Sequence, residues 1–232
     1  MIITRADKGQ ALTHNEMDQN LIELRDKPDG QAYPTAANIG IKFRHTDEDP
    51  EDFGWQTTVG FIHVHPGEPD SPIHGDYQGS IRQYYYPVGA EINIDFVIPH
   101  DYVPGTDLMG RICWSHNRPS VTMGTVSWLI ETTYSKGFGQ ESFTTPTALN
   151  GSGDALLTRY AVKTTDVPLS LAGGAMGLID SSRIEASGLL LVRGVVTGNT
   201  MDDGAEPYIH AGLLLYKSRG LATPHSSPPY FE

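Results

Sequence analysis

The sequence predicts a mainly β chain: a jelly-roll-like antiparallel β-sandwich preceded by one short N-terminal helix. Two observations predict the sandwich. Short segments of alternating apolar and polar residues recur from residue 58 to residue 217, separated by turn residues every eight to twelve positions. The composition fits them, with 25 glycines, 16 prolines and an apolar fraction of only 38% over 232 residues. A third observation predicts the helix: ahead of these segments stands a single stretch with helical capping and spacing.

That stretch lies in residues 1–30. Thr13 suits the N-cap, and Glu16 completes a capping box with it. Leu12 and Met17 match the hydrophobic staple around that cap. Met17, Leu21 and Leu24 recur at i, i+4 and i+7 and form a narrow apolar stripe. Pro28 and Gly30 end it. About a dozen residues is marginal for an isolated helix. The stripe therefore needs cover, either from its own domain or from other copies and a larger assembly. Residues 31–57 read as linker and lead-in, and 58–232 as the sandwich.

Within the sandwich the first strand is read at 58–65, followed by a Pro/Gly/Asp-rich loop at 66–79. Strands follow at 80–86 and 90–98, the latter with Ile92, Ile94, Phe96 and Ile98 on one face. Residues 108–114 and 125–134 are strands, with Trp114 and Trp128 on their apolar faces and assigned to the core. Residues 137–153 read as a long loop holding one strand near Phe143. Another strand is read at 156–165. Residues 167–179, broken by Pro168 and three glycines, read as a short helical turn or loop. The apolar runs at 188–197 and 207–217 are short enough for fully buried strands. The tail at 218–232 should run extended over a surface.

The formal charge of −12 argues against an electrostatic grip on nucleic acid or anionic lipid. Cys113 is the only cysteine, so no disulfide framework is expected, and its apolar strand makes it a buried inert thiol. No secretory leader and no apolar run of about 18 residues is read, so synthesis in a cytoplasm without membrane insertion is expected.

Catalytic and ligand chemistry is sparse. His63, His65, His74 and Asp76 have metal-binding donors, but no complete ligand set follows from their spacing, and no metal or cofactor is expected. The acidic turns at 47–52 and at Asp202 and Asp203 lack EF-hand spacing. Glu91, Asp95, Glu131, Glu141 and Glu185 supply carboxylates for glycoside cleavage, but sequence does not pair them. No nucleophile elbow, phosphate loop or dinucleotide fingerprint occurs, and the chain is read as a non-enzyme. Exposed aromatic rings suit sugar faces. The residues singled out for glycan contact are Trp55, Tyr84 and Tyr85. At least one tyrosine of the run 84–86 must face away from the core.

Two segments resemble known proteins. The string VPGTDLMGRICWSHNRP, followed by GTVSWLIETTYSKGFGQESF, resembles a family of tailed-phage virion structural proteins. Their strands read His-x-His-Trp-Ser-x-Asn and Val-x-Trp-x-x-Glu-x-x-Tyr-x-x-Gly. Cys113, Trp114, Ser115, His116 and Asn117 carry the first pattern here; Val126, Trp128, Glu131 or Thr132, Tyr134 and Gly137 carry the second. Arg111 and Cys113 stand at the family's first histidine positions, so no histidine role is carried over. The likeness extends over residues 86–231.

The N-terminal string GQALTHNEMDQNLIEL is similar to the opening of phage tail-fibre and spike proteins, through Leu12, Thr13, Glu16, Asp18, Asn20, Leu21 and Leu24. These resemblances imply a virion protein, a short fibre, spike or tail component. Leu12, Met17, Leu21 and Leu24 would anchor it to other virion proteins and form a homotrimer. The sandwich would contact host-surface glycan. A capsid decoration or head-fibre protein stabilising the shell is the alternative, and a capsule-polysaccharide depolymerase is the third reading.

Overall fold

The computed structural model describes residues 53–64, 67, 70–155, 158–220 and 226. The predicted N-terminal helix, with Leu12, Met17, Leu21 and Leu24, lies outside these residues, as do His65 and, apart from Ser226, the tail beyond residue 220.

Thirteen strands are formed among the described residues: β1 (Gly54–Val59), β2 (Phe61–His63), β3 (Ile73–Gln78), β4 (Ile81–Tyr85), β5 (Glu91–Val97), β6 (Met109–Ser115), β7 (Thr125–Ser135), β8 (Thr147–Asp154), β9 (Lys163–Pro168), β10 (Ser170–Leu171), β11 (Ile179–Asp180), β12 (Leu189–Asn199) and β13 (Tyr208–Ser218). Two antiparallel sheets hold eleven of them. The first runs β3-β4-β13-β6-β9, with β1 also paired to β13; the second runs β2-β5-β12-β7-β8. The chain passes repeatedly from one sheet to the other, so that β4-β13-β6-β9 is one layer and β5-β12-β7-β8 the other. That order is a jelly roll. The expected mainly β, antiparallel sandwich is thus the fold of the described residues.

The core follows from alternation. The inward-facing buried residues are Ile92, Ile94 and Phe96 on β5, Val126, Trp128, Ile130, Thr132 and Tyr134 on β7, and Leu190, Val192, Gly194 and Val196 on β12. Each set shares one face of its strand and meets its counterpart across the sandwich. Trp114 and Trp128 are both fully buried, with ring centroids 6.4 Å apart in an edge-on arrangement. The Trp114 indole donates to Thr165 Oγ1 at 2.9 Å, whereas the buried Trp128 Nε1 has no hydrogen-bond partner among the described residues. On the opposite face of β6, Arg111 makes a two-pronged pair with Asp166 at 2.6 and 2.8 Å and donates to the Ser226 carbonyl.

Several elements differ from the sequence reading. The single strand at 58–65 is two strands in two sheets: β1 pairs with β13, and after Gly60 β2 pairs with β5. The loop read at 66–79 contains β3. Its residues are too polar to show an apolar alternation, because β3 is an edge strand held by β4 alone. The strand near Phe143 is instead β8, four residues later, and Phe143 is exposed in a coil. The strand at 156–165 begins only at Lys163, after a turn at 158–160. Residues 167–179 contain the end of β9, two short paired strands and a 3-10 turn at Ala172–Gly177. The run at 188–197 is not buried on both sides, since β12 alternates buried and part-exposed residues.

Candidate functional site

Two β-bulges build an aromatic cluster on the outer face of the first sheet. In β3 the register passes from Asp76 opposite Arg82 to Gln78 opposite Ile81, leaving Tyr77 as the extra residue. In β13 it passes from Ile209 opposite Trp114 to Ala211 opposite Cys113, leaving His210 as the extra residue. A bulge re-aims the side chain it inserts. Here both are turned toward the same place, and the Tyr77 and His210 rings meet at 5.2 Å.

Tyr77 is the hub. Its ring centroid lies 5.0 Å from Tyr208 and 5.1 Å from Tyr160, and Tyr85 packs on Tyr208 at 5.6 Å. These separations suit tilted and edge-on aromatic contacts. Gly75 makes room for Tyr85, because a Cβ there would lie 2.9 Å from Tyr85 Cε1. Tyr160 takes a left-handed backbone (φ 65°), and its N–H donates to the His116 carbonyl at 2.8 Å. That bond holds the 158–160 turn beside the segment that follows β6.

Polar bonds lock the rings. The Tyr77 hydroxyl bonds Ser115 Oγ at 2.6 Å, and Ser115 Oγ bonds His210 Nε2 at 2.8 Å. Asn117 donates to the Tyr208 hydroxyl and to the Asp76 carbonyl, both at 3.0 Å, and the Tyr208 hydroxyl donates to the same carbonyl at 3.1 Å. Tyr208 is buried, while Tyr77, Tyr85 and Tyr160 are each half-buried. The result is a fixed aromatic surface with amide and hydroxyl groups at its base.

Burial, and secondarily the neighbouring Tyr85, pushes the Tyr208 phenol above its ordinary range, so it stays neutral. Burial pushes the His210 imidazole below its ordinary value of 6.5. A depressed histidine resists protonation in the folded state, so its contribution is complete above about pH 6.5 and declines as the pH falls below that value. We expect the melting temperature of the wild type to drop more steeply between about pH 6.5 and 5 than that of His210→Gln. Calorimetry across that range checks it; parallel profiles would contradict it.

Ser115 and His210 resemble a nucleophile and base, but Ser115 is 1% exposed and its hydroxyl is already bonded to Tyr77. Among the described residues no carboxylate bonds His210. The pair therefore positions rings.

The residues singled out from sequence separate. Tyr85 belongs to the cluster. Tyr84 lies on the other face of β4, packs against the core and meets His74 at 4.9 Å. Trp55 lies on β1 opposite Lys217, whose ammonium sits 4.8 Å from its ring centroid. Tyr85 is opposite Tyr208, so along β13 the two are about 30 Å apart. Trp55 and Tyr85 are thus not brought into one site. Tyr77, Tyr160, Tyr208, His210, Ser115 and Asn117 were not assigned to a site from sequence. The one signal for them is the i, i+2 spacing of Tyr208 and His210.

The carboxylates are otherwise engaged. Arg193 bridges Glu91 and Glu131 on the outer face of the second sheet, and the Arg193 bond holds Glu91 below the ordinary carboxylate range. Asp95 pairs with His63 at 2.8 Å, Glu141 with Arg183 at 2.7 Å, and Glu185 accepts from Gln140 at 2.7 Å. His63 is therefore turned to a carboxylate. Among the described residues no group of three His, Cys, Asp or Glu could hold a metal, and no helix is long and apolar enough to cross a membrane.

No protein-family model matches the sequence, and no curated protein does. Among solved structures, the chain is similar to a family-61 carbohydrate-binding module in complex with β-1,4-galactotriose (9% identity, TM-score 0.27, covering 71% of this chain and 88% of that one). It is similar to a family-4 carbohydrate-binding module (8%, TM-score 0.28, 75% and 89%). It is also similar to the Eiger TNF of S. frugiperda (12%, TM-score 0.26, 75% and 98%).

Proposed function

We propose that this chain is a phage virion component whose β-sandwich binds glycan on the host surface through the aromatic cluster around Tyr77. The observation that carries the glycan reading is the convergence of Tyr77, Tyr85, Tyr160 and Tyr208 with Asn117 on one outer face. Half-buried rings offer flat apolar surface for a sugar's C–H face, and adjacent amide and hydroxyl groups suit its hydroxyls. The rings are held by their neighbours before any ligand arrives, which lowers the entropy cost of binding. No covalent step is required. Linked copies on a particle would convert weak single-site binding into avidity. The virion role is supported by the resemblance of residues 12–24 to fibre and spike openings and of residues 86–231 to phage structural proteins.

Two experiments test the two halves. Glycan-array binding by the wild type should be lost, by about tenfold or more, in Tyr77→Ala and Tyr85→Ala. Undiminished binding by both variants would move the site elsewhere. Deleting residues 1–26 should leave a soluble β-domain that no longer enters particles, assayed by immunoblot of purified virions. Normal incorporation would overturn the anchoring role and leave the glycan test untouched.

A further inference from the structure

The rim of the aromatic cluster carries a charge that runs against the whole chain. Arg118 and Arg159 both stand exposed beside it, in a protein whose formal charge is −12. The Arg159 guanidinium lies 5.0 Å from the centroid of Tyr160. Arg118 follows Asn117, whose amide bonds Tyr208, and its charge acts on the Tyr208 hydroxyl. The bond from Tyr160 N–H to the His116 carbonyl brings the two arginine-bearing segments side by side.

Neither arginine has a carboxylate partner among the described residues, whereas Arg82, Arg111, Arg183 and Arg193 all do. The nearest acid of the hairpin, Asp76, pairs with Arg82 at 3.3 Å and cancels one cation with one anion. Among the described residues, Arg118 and Arg159 are thus left at the rim as two guanidinium groups with no carboxylate partner.

We infer that the cluster recognises an acidic glycan, with a sugar ring on the tyrosines and its anionic group between Arg118 and Arg159. This deepens the glycan reading and rests on it. Guanidinium groups present paired N–H donors that match the oxygens of a carboxylate or a phosphate. The anion could be a uronate carboxylate or a backbone phosphodiester; both present that chemistry on a sugar-bearing polymer. An exposed rim also predicts salt sensitivity, since screening acts on charges left in solvent.

The test is equilibrium binding of the full chain to polygalacturonate, to carboxyl-reduced polygalacturonate, and to a glycosylated glycerol-phosphate teichoic polymer. At least one acidic polymer should bind about tenfold or more tightly than the reduced one, because a charge-assisted hydrogen bond contributes at least that much. The preference should shrink with added salt. The double variant Arg118→Gln/Arg159→Gln should lose it, while Arg183→Gln, a surface arginine paired with Glu141 elsewhere, should keep it. Which acidic polymer binds assigns the anion.

Equal binding to acidic and reduced polymers, or a double variant that keeps the preference, overturns the acidic assignment and leaves the glycan reading standing. Glycan-array binding to neutral sugars with none to either acidic polymer does the same. No binding to any polymer or arrayed glycan removes both.

Discussion

Trp114→Ala should destabilise the sandwich by about 3–5 kcal/mol, the range for truncating a large buried aromatic. The residue is fully buried on β6, faces Trp128 edge-on, and lies opposite Ile209 of β13 and Lys163 of β9 in the sheet. Removing it empties the centre of the core and strips Thr165 Oγ1 of its indole donor. For a domain of this size the loss corresponds to a fall in melting temperature of roughly 6–20 °C. Trp128→Phe is a useful contrast. Its Nε1 has no partner among the described residues, so the smaller ring sacrifices no hydrogen bond there and should cost less than Trp114→Phe. Urea unfolding of the variants checks both statements; a loss below about 1 kcal/mol for Trp114→Ala would mean that the core is not closed around this ring.

Gly60→Val should strongly destabilise the sandwich at the point where the chain changes sheets. Gly60 sits where the chain leaves β1 in one sheet and enters β2 in the other. Its N–H still donates to Gly212 of β13 at 2.9 Å. A Cβ at this point would lie 2.3 Å from Ile94 Cγ2 and 2.5 Å from Phe96 Cε1. Both neighbours belong to the packed core, so neither can swing into solvent. Overpacking of this kind costs about 1–3 kcal/mol and occasionally more, and a branched residue belongs at the upper end. We expect reduced soluble yield and a lowered unfolding midpoint, measured by denaturant titration. A Gly60→Val protein as stable as wild type would contradict the sheet-switching geometry.

The architecture was most legible where one face is buried. The alternation of Ile92, Ile94 and Phe96 located β5 to within one residue at each end, and Trp114 and Trp128 are core residues as their faces implied. It was least legible at sheet edges. β3 and β8 are rich in glycine and polar residues because each pairs along one side only, so little apolar alternation marks them. The switch at Gly60 also left no periodic trace, since β1 and β2 continue one extended run.

The candidate site was hidden for a related reason. Tyr77 and His210 reach it as bulge residues, and a bulge breaks the very alternation from which facing is read. Ser115 lies 38 residues from Tyr77 and 95 from His210, so only the folded register brings the three together. That one tyrosine of the run 84–86 faces outward is legible in the sequence, because three consecutive tyrosines cannot all face a core; Tyr85 is that residue. Tyr84, on the opposite face, and Trp55, at the far end of β13, show the limit of choosing aromatics one at a time.

The central claim is that the cluster around Tyr77 is where ligand binds. The most direct measurement is NMR chemical-shift mapping of isotopically labelled protein during titration with a glycan identified on the array. We predict that the perturbed resonances centre on Tyr77, Tyr85, Asn117, Tyr160 and His210. Perturbations centred instead on the outer face of the second sheet, around Phe61 and Arg193, or on Trp55 at the other end of the first, would contradict the account.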